Sequence, residues 1–376
     1  MLRSALCVVA LGLVVSACGS GGGGSGGGAC TGRLDCNAVA ADSCEVDPAV
    51  DPNNCGACQH SCLGGACQNG RCQPVTLASQ VQTYDLAVDG DTVFATAGGS
   101  VGSVPKVGGT FGLIAPASNG SLHLAIAGGR IYWDDLALSS FPGFDRILSM
   151  PVGGGAPQSE REDAYYPCGF AANATDLFWQ EYEQKRIYKR PLAGGDAVAL
   201  MDVGKGCAVA ADASLVVWID VGAALTQTGR VLAATPAAFA AGGPIMTVVE
   251  RQFEPGDVAL SPDHVYWVEQ GDYYETYKNG ILKRAPRAGG DPEWLIENLW
   301  QPIAVAVDAT SVYTLEQGNR RVWRMPIAGG TPEIIAQLPG IPVALALDEQ
   351  AIYFSTRVDD SSSAEPNDDV IYRLAK

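Results

Sequence analysis

The sequence predicts an all-β protein, a seven-bladed β-propeller closed by an N-terminal strand and preceded by a small disulfide-rich module. Three observations lead to this expectation. A Gly-Gly pair recurs along residues 74–376, a quartet of short apolar strands recurs with it, and eight cysteines crowd between residues 30 and 72.

The Gly-Gly pair follows a proline by three residues at Pro105, Pro151, Pro191, Pro286 and Pro326, and a sixth pair, Gly242-Gly243, has Phe239 in the proline's place. A repeat of about forty to fifty residues built from short strands is the period of propeller blades. Residues 303–337 illustrate one unit. Ile303 to Val307 and Val312 to Leu315 read as the first two strands, with a tight turn at Asp308-Ala309-Thr310 between them. Arg321 to Met325 and Pro332 to Ala336 read as the last two, and the Gly-Gly pair between them is read as a two-residue hairpin turn. Asp89, Asp212, Asp308 and Asp348, with Asn173 as a variant, end first strands just before such tight turns. Asp and Asn accept backbone N–H groups two residues on, so these are read as turn residues rather than a ring of ligands.

First strands begin near Asp85, His123, Gly169, Ala208, Asp257, Ala304 and Ala344, which gives seven blades. The seventh runs out at Lys376 with three strands. Residues 73–78 have no blade of their own and match the fourth strand of the unit above, so the N-terminal strand is expected to complete the last blade and remove the open edge.

The second strands carry a recognisable core. Ile131-Tyr132-Trp133-Asp134-Asp135, Val265-Tyr266-Trp267-Val268-Glu269 and Val216-Val217-Trp218-Ile219-Asp220 resemble the Tyr-Trp-Thr-Asp repeat of low-density-lipoprotein-receptor-type propellers and their bacterial relatives. The resemblance covers residues 74–376. It implies the seven-bladed architecture and, by the receptor family's use of the fold, protein binding.

Ahead of the body, Arg3 and the apolar run Ala5 to Val15 read as a signal peptide, residues 1–17. Val15-Ser16-Ala17-Cys18 resembles a bacterial lipobox, which implies cleavage before Cys18 and lipidation of its sulfur. Residues 18–29 form a Gly/Ser tether too polar to bury anything. With Gly19 rather than aspartate after the lipidated cysteine, outer-membrane retention is expected. Cys30, Cys36, Cys44, Cys55, Cys58, Cys62, Cys67 and Cys72 make residues 30–73 a disulfide module of open pairing. Its Asn54-Cys55-Gly56-Ala57-Cys58 and Gly65 to Cys72 stretches resemble Cys-rich modules of secreted myxobacterial proteins. A zinc site at Cys55 and Cys58 is the competing reading, set back by the exported context and by only three histidines in the chain. Cys168 and Cys207 start adjacent first strands and are expected to tie blade 3 to blade 4, two buried thiols being the alternative.

A formal charge of −17 argues against nucleic acid, since phosphate binding needs a basic surface. No nucleophile elbow, metal-binding helix or phosphate loop is present, and no cofactor or metal is expected. The irregular loops on one propeller face are expected to display aromatic rings, among them Tyr165, Tyr166, Tyr182, Phe253 and Trp300, among acids that include Asp134, Asp135, Glu162, Asp163, Glu181 and Glu269. The ligand-binding candidates are Tyr84, Asp85, His123, Tyr166, Phe253, Asp257 and Trp300, placed at the mouth of the central channel. These features lead to the expectation of a monomeric, lipid-anchored envelope protein acting as a non-catalytic binding or scaffold module for a protein or polysaccharide. The competing reading is a propeller-type lyase or lactonase with a metal at the channel mouth, which would need three ligands on neighbouring first strands. Asp85, His123 and Asp257 are the best set. A purely structural envelope component is the third.

Overall fold

The computed structural model describes residues 32–36, 45–116, 120–136, 145–272, 276–357 and 369–376. The signal peptide, the tether, Cys18, Cys30 and Cys44 lie outside the described residues. The body holds seven four-stranded antiparallel sheets, in each of which the strands pair in order from the inside outward. The first strands, Thr83–Asp89, Leu124–Ala127, Pro167–Ala172, Val209–Ala211, Pro255–Leu260, Pro302–Val307 and Ile341–Leu347, define blades 1 to 7. Each first strand touches the next, and that of blade 7 touches that of blade 1, so the ring is closed.

Position in the blade explains composition. Second strands such as Asp176–Glu181 and Val216–Asp220 are buried along their whole length, because a neighbouring blade covers each face; their apolar residues therefore stand side by side, as at Leu177-Phe178-Trp179 and Val216 to Ile219, without alternation. Fourth strands such as Gln158–Ala164 lie at the rim and are mostly polar and exposed. The tryptophans of the second strands fill the seams between blades. Trp133 packs with Phe94 of blade 1, Trp179 with Tyr132 of blade 2, Trp218 with Phe178 of blade 3 and Trp267 with Val217 of blade 4. All four indoles are fully buried.

Two turn devices recur. Asn173, Asp212, Asp308 and Asp348 each accept N–H bonds from residues two and three further on, at 2.7–2.9 Å, as turn residues do. Asp89 differs: it stays in the strand, paired with Thr92, and Gly90 makes the turn at φ +50°. The Gly-Gly pairs do not form two-residue hairpins. The proline carbonyl accepts the N–H of the first glycine, as Pro105 does from Gly108 at 2.8 Å and Pro326 from Gly329 at 2.9 Å. The reversal is thus a four-residue turn, and both glycines take positive φ. In blade 4, where Phe239 replaces proline, Ala238–Ala241 form a one-turn helix with Gly242 as its left-handed cap, and Phe239 packs on Phe178.

Val75–Ser79 pairs antiparallel with Val370–Ala375 as the fourth strand of blade 7. The cysteine-rich module covers this closure. Its bridges among the described residues are Cys36–Cys58, Cys55–Cys67 and Cys62–Cys72, and Cys55, Cys62, Cys67 and Cys72 share one apolar cluster with Tyr313, Ile352, Phe354 and Leu374 of blades 6 and 7. Arg71 donates to the Ile334 carbonyl at 2.8 Å and Arg373 donates back to the Leu63 carbonyl. His60 bonds the carbonyl of Lys376 through its Nε2.

Candidate binding site at the channel mouth

The first strands surround a cavity of about 440 Å³. Seven register-equivalent positions face it, one per blade: Asp85, His123, Gly169, Ala208, Asp257, Ala304 and Ala344. Glycine and alanine are what the crowded inner ring favours, so the two aspartates and the histidine stand out. Tyr84, 39% exposed, sits beside Asp85 at the opening.

Each aspartate also clamps two blades. Asp85 accepts the N–H of Leu86 at 2.8 Å and that of Leu124 in blade 2 at 3.0 Å. Asp257 accepts Val258 N–H at 2.8 Å and, in blade 6, Val305 N–H at 2.8 Å. Burial pushes the Asp85 carboxyl up to about 6, against the pull of the Leu124 N–H, His123 and the Leu86 N–H, with Asp134 adding to the rise. Burial likewise lifts Asp257 to about 6 against its two N–H donors, and the charge of Asp85 across the channel adds to the shift. Asp134, fully buried, accepts the N–H groups of Leu122 and His123 and the Ser121 hydroxyl, and its second oxygen meets His123 Nδ1 at 3.2 Å. Burial disfavours the charged ring of His123, but the bond to Asp134 and the charges of Asp134 and Asp85 outweigh it and hold its pKa above the ordinary histidine value.

What the channel acids lack is a lysine or arginine. The buried acids that end the second strands have one: Asp135 pairs with Arg146, Glu181 with Arg161, Asp220 with Arg230, Glu269 with Lys283 and Glu316 with Arg321. The turn acids follow suit, Asp212 with Arg287, Asp308 with Lys376 and Asp348 with Lys106. Among the described residues, Asp85, Asp134 and Asp257 face no such cation, and His123 is the sole basic side chain lining the cavity.

The structure separates the seven candidates. Tyr84, Asp85, His123 and Asp257 line the cavity; Tyr166, Phe253 and Trp300 do not. Tyr166 is half-exposed and meets Tyr182 edge-on. Phe253 opens onto a separate niche between blades 4 and 5. Trp300 lies flat on Gly318, where a Cβ would come within 2.1 Å of the ring, and Lys278 sits 4.7 Å from the ring centre.

Four acids expected on the loop face are internal. Asp134, Asp135, Glu181 and Glu269 are buried. Glu269 accepts Phe253 N–H at 2.9 Å, Glu316 accepts Trp300 N–H at 2.9 Å and Asp220 accepts Lys205 N–H at 3.1 Å. The last position of the Tyr-Trp-Thr-Asp pattern thus pins the chain as it crosses from one blade to the next. A run of apolar residues ending in an acid was the signal for this, because a strand buried on both faces carries its terminal acid inside with it.

Cys168 and Cys207 form the bridge between blades 3 and 4. The described residues bring three possible metal-ligand atoms within 4.8 Å of one another only at Cys55, Cys62 and Cys72, all held in disulfides. Asp85, His123 and Asp257 do not converge in this way.

No family model matches the chain, and no curated protein matches it. Its fold recurs among solved structures. A streptogramin B lyase structure is similar with a TM-score of 0.60 and 13% identity, over 81% of this chain and 97% of that one. Hydrazine synthase from Kuenenia stuttgartiensis gives 0.57 and 13%, over 73% and 92%. The computationally designed Ika8 protein gives 0.52 and 14%, over 75% and 84%. At such identities the likeness shows the propeller fold, and activity does not travel with a fold.

Proposed function

We propose that this protein is a lipid-anchored, non-catalytic binding module of the cell envelope whose channel mouth receives a positively charged group of an envelope protein or polysaccharide. One observation carries the reading: Asp85 and Asp257 face each other across a cavity with no lysine or arginine between them, whereas the buried acids that end the second strands of blades 2 to 6 each have such a partner. A ligand's ammonium or guanidinium group would supply the missing counter-charge. Desolvated carboxylates hold such groups more strongly than exposed ones do. Tyr84 adds a ring at the opening, where cations also favour aromatic faces.

The disulfides fit an oxidising compartment, and no helix among the described residues is long and apolar enough to cross a membrane. The anchor rests on the sequence at Cys18; a Cys18→Ser variant should leave the membrane fraction.

The test is capture from envelope extract by the full mature chain beside Asp85→Asn/Asp257→Asn. A partner retained by the native protein at low salt and lost with the variant supports the reading. Equal retention would move the site away from the channel, and absence of any saturable partner would favour a structural role.

A catalytic reading draws on His123, oriented by Asp134 beside a carboxyl lifted to about 6. Groups with shifted pKa values in a cleft are the usual material of acid–base chemistry. It would require turnover that disappears in His123→Ala while ligand capture persists.

A further inference from the structure

The blade seams offer an internal comparison. The first residue of the third strand, or the one next to it, lies across from the buried acid that ends the second. Arg146 faces Asp135, Arg186 faces Glu181, Arg230 faces Asp220 and Arg321 faces Glu316. In blade 5 the place opposite Glu269 is taken by Ile281. The neutralising cation has moved two residues along, to Lys283, whose Nζ lies 2.8 Å from Glu269 with both side chains 7% exposed. Lys283 Nζ also donates to Gln252 Oε1 at 3.2 Å.

Charge is therefore satisfied from within, and the space beside Ile281 is open as a niche of about 330 Å³. Its counterpart between blades 5 and 6 is occupied by the ring of Trp300 lying on Gly318. The equivalent glycine here is Gly271, and the smaller Phe253 does not close the space.

The niche walls combine Leu225, Phe253, Ile281 and Trp294 with Arg251 and Gln227. Trp294 is 54% exposed. Arg251 pairs with no acid among the described residues, and it holds a left-handed backbone at φ +58°, a place filled by Asp202 and Asn298 in the neighbouring blades. The conformation belongs to the fold position, and arginine takes it here as Arg320 and Lys185 do elsewhere in the ring. The pocket also borders Asp272, whose own N–H donates to Asn279 Oδ1.

We propose that this niche is a second ligand pocket, separate from the central channel, which takes a carboxylate attached to an apolar body. Arg251 would meet the carboxylate in the two-pronged geometry that guanidinium favours, and the apolar walls would cover the hydrocarbon. The volume lies within the usual range for small-ligand sites.

The experiment titrates the full mature chain with benzoate, phenylacetate and N-acetyl-leucine, and with their neutral amides, by calorimetry and by fluorescence. At least one carboxylate should bind saturably below about 10 mM, which is weak but real affinity, and at least tenfold more tightly than its amide. Arg251→Gln should remove that preference. Ile281→Arg should abolish binding by filling the niche with the residue that other blades carry there, while its melting temperature stays near the parent's. Asp85→Asn/Asp257→Asn should leave carboxylate binding unchanged, which keeps this result independent of the channel reading. No saturable carboxylate, amides bound as well as acids, or undiminished binding to a folded Ile281→Arg protein would each overturn the proposal.

Discussion

Asp85 and Asp257 show how one side chain serves two blades at an electrostatic cost. Each bonds backbone donors from both sides of a seam, yet burial lifts both carboxyls to about 6. Because these folded values lie above the unfolded one, the ionised state opposes folding. Their contribution is most favourable below about pH 4 and is lost as the pH rises through 6. Asp308 and Asp348 run the other way. Burial raises them, but the ammonium of Lys376 or Lys106 and the turn donors outweigh it and hold both at about 2. Their contribution is present above pH 4 and is lost as the pH falls toward 2. Stability should therefore peak between pH 4 and 6 in urea unfolding. Asp257→Asn should flatten the alkaline side of that profile by at most about 3 kcal/mol, the value of two pKa units. A profile unchanged by the substitution would mean that Asp257 is ordinarily solvated.

At the scale of elements, the seams carry the stability. Lys106, Arg287 and Lys376 directly follow third strands, and each reaches the turn acid of the preceding blade at 2.5–2.6 Å. Lys106→Met leaves Asp348 half-buried without its cation and should cost about 1–3 kcal/mol, read as a lower unfolding midpoint. The Cys168–Cys207 bridge spans 39 residues. Replacing both with alanine should cost about 2–4 kcal/mol. Gly318→Ala tests the Trp300 packing, because the added methyl meets the indole at 2.1 Å. A loss of about 1–3 kcal/mol is expected, together with a change in tryptophan emission; unaltered emission would show that the ring does not lie where it is placed.

For the whole molecule, ring closure ties the two ends of the body together, and the cysteine-rich module sits over that seam. A chain beginning at residue 80 lacks Val75–Ser79 and leaves Val370–Ala375 as an unpaired edge; it should aggregate or fail to unfold cooperatively. A chain beginning at residue 73 keeps the strand and loses the module. It should fold with a reduced melting temperature, since Ile352, Phe354 and Leu374 lose the cysteine side of their shared cluster. Equal melting of this shorter chain and the parent would make the module an appendage rather than a clasp.

Seven blades, their order and the closing strand were legible in the sequence because each follows from local rules: a repeating turn, strands of fixed length and one strand left over. The Cys168–Cys207 pairing was legible too, since the repeat places both cysteines at equivalent positions of adjacent blades. The channel ring was readable in part, as the repeat aligns Asp85, His123 and Asp257. Tertiary structure decided the rest. It turned Asp134, Asp135, Glu181 and Glu269 inward, because a neighbouring blade, invisible in the local pattern, covers both faces of each second strand. It sent Tyr166, Phe253 and Trp300 to the seams instead of the channel, and it laid the cysteine-rich module on blades 6 and 7. Strand identity is set within a dozen residues, but which acid meets which cation, and which niche stays open, depends on side chains that only ring closure brings together.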